Sequence, residues 1–184
     1  MPAICWHCAG VTDAPGFYGK AVTRGDFLSR RLPSGFAAAW DGWLQGMVGA
    51  ARAKLGEAWL DAFLTMPVWH FVLGRGIAGP DPVLGVLIPS VDRVGRYFPF
   101  TILGRCVAGG VPAAEWTARV ERLALGALED DFDPKALDAA LVALGSPLLT
   151  TDVPADGESV WWGGGTALRT ENLPEGSWLM GERK

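Results

Sequence analysis

Two histidines, three cysteines and two tyrosines are all that this 184-residue chain offers of the side chains most used as bases, metal ligands or phenolic acids. Each shortage excludes something. Three cysteines, Cys5, Cys8 and Cys106, make no disulfide framework. Lysine and arginine number 16 against 20 aspartates and glutamates, a formal net charge of -4, so nothing electrostatic points to a nucleic-acid partner. No apolar run approaches the roughly 20 residues that span a bilayer. Residues 83–91 come nearest and are broken by Gly85 and Pro89. Residues 1–10 have no basic stretch followed by an apolar one, so no signal peptide is expected. These absences together predict a cytoplasmic, reduced protein without membrane insertion.

What is present is a dense apolar composition: 49% hydrophobic residues, 20% charged and nine tryptophans. That balance suits one folded domain, and so many indoles imply an aromatic core with some anchors left for a partner. Residues 1–15 read as an irregular leader, 16–170 as the domain and 171–184 as a polar, loosely packed tail in which Trp178 is the candidate to dock. A first strand is read at residues 16–20. Pro33-Ser34 then starts a helix, with Ser34 as N-cap, that carries Phe36, Trp40, Trp43, Leu44, Met47, Val48, Ala51 and Leu55 on one face and stops at Gly56. A shorter helix covers Trp59 to Leu64.

Strands are read at residues 68–73, 83–88 and 98–107, the last two close enough for an antiparallel hairpin. Two helices follow. One opens at Val111-Pro112 with an apolar stripe of Trp116, Val120, Leu123, Ala127 and Leu128; the other is capped by Asp133-Pro134 and ended by Gly145. A last strand at residues 159–162 is stopped by Gly163-Gly164-Gly165, read as a flexible strand exit. Strands and helices do not alternate one for one. The fold class expected is therefore α+β, a single domain with a mostly antiparallel or mixed central sheet flanked by helices.

The chemistry-bearing groups are sparse. Cys5-Trp6-His7-Cys8 has the spacing of half a zinc site, but four ligands are needed and only His70 and Cys106 remain to complete it. His70 lies in an aromatic strand, which favours a structural histidine over a general base. No Gly-x-Ser-x-Gly elbow is present, and the triple glycine lacks the lysine of a phosphate-binding loop. No catalytic residues, cofactor or metal are expected. The remaining cluster is polar: Ser90, Asp92, Arg93 and Arg96 on the connection between two apolar strands, with Arg24 and Asp26 after the first strand. Guanidinium groups grip carboxylates or phosphates at two points. Two readings stand open: the charges brace the loop, with Asp26 or Asp92 pairing Arg93 or Arg96, or they form a partner-binding surface.

Gly16-Phe17-Tyr18-Gly19-Lys20 with Arg24-Gly25-Asp26-Phe27 resembles the opening motif of the TagF (ImpM) family of type VI secretion proteins. Trp40 with Trp43-Leu44-Gln45 resembles that family's first helix, and Pro89-Ser90 with Asp92-Arg93-Val94-Gly95-Arg96-Tyr97-Phe98-Pro99 its most distinctive motif. Ser159 with Trp161-Trp162 is similar to its C-terminal signature. Val22 departs from the proline often found after the lysine. The resemblance implies a post-translational repressor of type VI secretion that binds a forkhead-associated scaffold protein of the machine, and no enzyme. The alternatives are an enzyme acting on a phosphorylated or acidic substrate through Asp92, Arg93 and Arg96, or a structural accessory subunit of the apparatus. Nothing in the sequence sets an oligomeric state.

Overall fold

In the computed structural model, which describes residues 13–32, 34–175 and 177–180, the apolar runs in the middle of the chain lie side by side at the centre of a seven-stranded sheet. In chain order the strands are β1 (Gly16–Gly19), β2 (Leu28–Arg30), β3 (Trp69–Leu73), β4 (Val83–Ile88), β5 (Phe100–Arg105), β6 (Val111–Pro112), β7 (Pro147–Leu148), β8 (Glu158–Gly163) and β9 (Thr166–Glu171). The large sheet runs β2-β1-β5-β4-β3-β8-β9, antiparallel throughout, and β6 and β7 form a small parallel pair beside it. The helices are α1 (Ser34–Leu55), α2 (Trp59–Leu64), α3 (Ala113–Leu125) and α4 (Pro134–Leu144). This is the α+β domain expected, with the antiparallel alternative realised.

Alternation across the strands divides the core into two layers. Trp69, Phe71 and Leu73 of β3, Val83 and Leu87 of β4, Leu103 of β5 and Trp161 of β8 share one cluster with the buried face of α1. Val72, Leu84, Val86, Ile88, Phe100 and Ile102 point the other way, against Trp116, Val120 and Ala124 of α3 and Leu137 and Leu141 of α4. With a helical layer on each side, β4 is buried at every residue, which is why its sequence shows no polar alternation. Phe71 lies over Gly85, where an added Cβ would stand 2.2 Å from the ring. That close fit seats Phe71 between Trp40 and Trp161, with ring centroids 5.3 and 4.7 Å away. The Trp40 indole, fully buried, donates to Thr101 Oγ1 at 3.2 Å.

Several local expectations need correction. The strand expected from residue 98 starts at Phe100: the Phe98 N–H is spent on Ser90 O at 3.0 Å, and Pro99 has no N–H to give. Gly163-Gly164-Gly165 is no loose exit. Gly164 and Gly165 have φ of 56° and 79° and form the two-residue turn into β9, Gly163 facing Thr166. The polar tail was expected to be loose, yet Leu179 and Met180 are buried and Trp69 Nε1 donates to Leu179 O at 2.8 Å. Trp178 does dock, its ring 4.7 Å from that of Trp69. Pro112 opens α3 as its N-cap, just before the first helical residue, and Leu128 is exposed because the helix tightens into a 3₁₀ turn after Leu125. Of the adjacent pair, Trp161 is fully buried and Trp162 half-buried. Asp133 caps α4 as read, its carboxylate accepting from Lys135 N at 3.0 Å. Pro33, the side chain of Ser34 and the Cys5-Trp6-His7-Cys8 segment lie outside the described residues.

Candidate interaction site

The connection from β4 to β5 is a tight turn organised around one carboxylate. Asp92 Oδ1 accepts from the N–H groups of Val94 at 3.0 Å and Arg96 at 2.9 Å. Asp92 Oδ2 accepts from Arg96 Nε at 2.6 Å and from Lys20 Nζ at 2.5 Å. The Asp92 N–H donates back to Arg96 O, the Gly95 N–H to Asp92 O, and Gly95 adopts φ 82° to close the turn. These four contacts occupy the acceptor capacity of a carboxylate. The side chain is 0% exposed. Burial alone would raise its pKa. The donors from Lys20, Arg96 and Val94 outweigh that and hold Asp92 well below the usual carboxylate range.

The turn is fastened to the segment after β1. Ser90 Oγ, buried, donates to Lys20 O at 2.7 Å; the Arg93 N–H donates to Arg24 O at 3.0 Å; Arg96 Nη2 donates to Gly25 O. Gly19, with φ 136°, passes so close that an added Cβ would stand 2.2 Å from Pro99 O. Lys20 also rests over the Phe27 ring at 4.8 Å.

The candidate residues therefore separate into two sets. Ser90, Asp92 and Arg96 brace the turn, and Lys20, which the candidate set omitted, is the buried cation that completes the bracing. Its signal in the sequence was its place at the end of the Gly16-Phe17-Tyr18-Gly19-Lys20 motif. Asp92 pairs with Arg96, as one of the proposed pairings had it, whereas Asp26 and Arg93 enter no ion pair among the described residues. Arg24, Asp26 and Arg93 are exposed, with side chains that meet no partner there. Val94 at the tip is 64% exposed and Phe27 43%.

Three other groups carry titratable side chains in notable surroundings. His70 Nε2 lies 2.8 Å from Glu121 Oε2, and the imidazole stacks on Trp162. The pair borders a largely apolar groove of about 620 Å³ between α3 and β8, with Val72 and Val160 also lining it. The hydroxyl beside it, Thr117 Oγ1, donates to Ala113 O at 2.7 Å. The Cys106 thiol is pushed up to about 12, chiefly by burial, with the Asp81 charge adding to the effect, so it is held in its neutral form. Tyr18 donates to Asp41 at 2.5 Å, and burial, that bond and the aspartate's charge together carry its phenol above the ordinary range. Among the described residues no three His, Cys, Asp or Glu side chains gather as a metal site. No helix there is long and apolar enough to cross a membrane.

Comparison with known proteins agrees with the motifs. Residues 16–144 match the family model of the TagF N-terminal domain, type VI secretion system-associated. The crystal structure of PA0076 from Pseudomonas aeruginosa PAO1 is 36% identical, with 88% of this chain and 90% of that chain covered and a TM-score of 0.76. No curated protein matches. A family match over most of the chain, and a solved fold shared at that identity, show that this chain belongs to the TagF family of type VI secretion-associated proteins.

Proposed function

We propose that the chain is a cytoplasmic, post-translational repressor of type VI secretion. It acts by binding a forkhead-associated scaffold protein of the machine, and the turn between β4 and β5 is its contact surface. The observation that carries this reading is the division of labour within one motif. A buried carboxylate spends all its bonding on shaping a turn whose neighbours Arg24, Arg93 and Val94 are left facing solvent. The chemical alternative draws less support. A base or nucleophile needs a free lone pair, and Asp92 is covered and saturated by four donors. Overproduction in a host with a type VI apparatus should lower secretion of the tube protein, and the scaffold should co-purify with the chain. Unchanged secretion without co-purification refutes the proposal. Permanent co-migration with the assembled apparatus would favour an accessory subunit instead.

A further inference from the structure

We infer that Arg24, Arg93 and Val94 form a patch that takes a carboxylate-rich segment of a protein partner, with an apolar side chain of that segment seated against Val94. The inference rests on the turn being a contact surface and adds what it recognises. Arg24 and Arg93 sit on different segments but meet backbone to backbone at 3.0 Å, so two cationic side chains leave the surface from neighbouring points. Neither side chain has a hydrogen-bond or ion-pair partner among the described residues. The acids nearby do not neutralise them: Asp92 is committed to Lys20 and Arg96, and Asp26 is exposed on the same loop without an ion pair. Two like charges held together repel one another, and carboxylates from outside relieve that repulsion. Guanidinium groups bind such oxyanions at two points each.

The rest of the surface does not supply this attraction. The chain as a whole carries -4 and repels an acidic partner at long range. At physiological ionic strength charges beyond about 8 Å are screened, so the local pair decides. Val94 adds the apolar element. It is 64% exposed beside Arg93, on a turn made rigid by the Asp92 network, so little ordering is needed on binding. Asp26 is the opposing charge within the patch and weakens it.

The test is fluorescence anisotropy of the full chain with a short fluorescein-labelled peptide of Glu and Leu, against Ser/Leu and phosphothreonine/Leu peptides of the same length. Arg24→Glu and Arg93→Glu should each weaken binding of the Glu/Leu peptide by about tenfold, the scale of a lost charge-assisted contact. Val94→Ser should weaken it, and Asp26→Asn should tighten it. Arg75→Glu makes the same charge change in the turn after β3, at the other end of the sheet from the β4–β5 turn, and should leave binding within about twofold of the parent. All these side chains are exposed, so near-UV circular dichroism should be unchanged. Equal affinity for the Glu/Leu and Ser/Leu peptides, or full binding by both arginine variants, overturns the inference. Binding of the phosphopeptide alone overturns the choice of carboxylates. Scaffold co-purification is scored separately: its failure beside arginine-dependent Glu/Leu binding removes the scaffold reading and leaves this one standing, and the converse removes only this one.

Discussion

Replacing Asp92 by asparagine keeps the shape of the side chain and removes its charge, which isolates what the carboxylate does. The amide oxygen can still accept from the Val94 and Arg96 N–H groups. The amide nitrogen, a donor, then faces Lys20 Nζ and Arg96 Nε, which are also donors. Arg96 is 60% exposed and can turn to water; Lys20 is 6% exposed and cannot do so without opening the turn. An uncompensated buried charge costs about 3–5 kcal/mol. For a domain of this size that is a fall in melting temperature of roughly 6–20 °C. Urea denaturation followed by near-UV circular dichroism measures it. The cost should shrink in the Lys20→Met/Asp92→Asn double variant, because the stranded cation is gone. The pH dependence supplies a second check. A carboxylate whose folded pKa lies below its ordinary 3.8 contributes stability that is fully present above that value and is lost as pH falls through the folded one. The gap between parent and Asp92→Asn should therefore be flat from about pH 5 to pH 8 and narrow below about pH 4. A gap under about 1 kcal/mol at neutral pH, the scale of an exposed ion pair, would refute the argument.

Trp40 is fully buried among Phe36, Trp43, Phe71 and Trp161, so Trp40→Ala should cost about 3–5 kcal/mol, read as a fall in urea midpoint; a near-neutral result would contradict the packing of α1. Gly42, Gly46 and Gly49 of α1 have open space where a Cβ would go, so Gly46→Ala should raise stability by about 1 kcal/mol, measured in the same way. In a Cys5→Ser/Cys8→Ser background Cys106 should resist iodoacetamide at neutral pH until the protein is unfolded, because its thiol stays protonated up to about 12; rapid labelling of the native protein would disprove that burial.

How far the sequence could be read depended on how much of each element is buried. The face of α1 was legible because Phe36, Trp40, Leu44, Met47, Val48 and Ala51 recur at helical spacing and all are buried. β4 and β5 were legible as short, largely apolar runs, since both faces of the central sheet are covered. β9 was not. As an edge strand with Thr166, Ala167, Arg169 and Glu171 exposed, it carries no hydrophobic alternation. Its signal lay in Gly164-Gly165, two glycines suited to a two-residue hairpin and read as a strand exit instead. β2, at three residues, is too short for any period to show. Within the candidate site, a single lysine after a strand reads as a surface charge, and only the fold reveals that Lys20 is buried against Asp92.

That hidden lysine changes what the motif means. The run from Asp92 to Arg96 suggests one charged surface, but adjacent residues here do opposite work: Asp92 is covered and bonded on every side, while Arg93 keeps only its backbone bond to Arg24 and leaves its guanidinium free. Removing Arg96 is the case that tests this division, because it sits on both sides of it. Its Nε holds Asp92 and its Nη2 holds Gly25 O, yet most of the side chain faces water. Arg96→Ala leaves Asp92 three of its four donors, Lys20 among them, and exposes no stranded charge. It should therefore cost less stability than Asp92→Asn, while loosening the Gly25 segment that carries Arg24. Arg96→Ala should thus weaken partner binding by more than its loss of stability accounts for, measured where the variant is fully folded. Unchanged binding by the folded Arg96→Ala variant would mean that the turn is a structural brace alone.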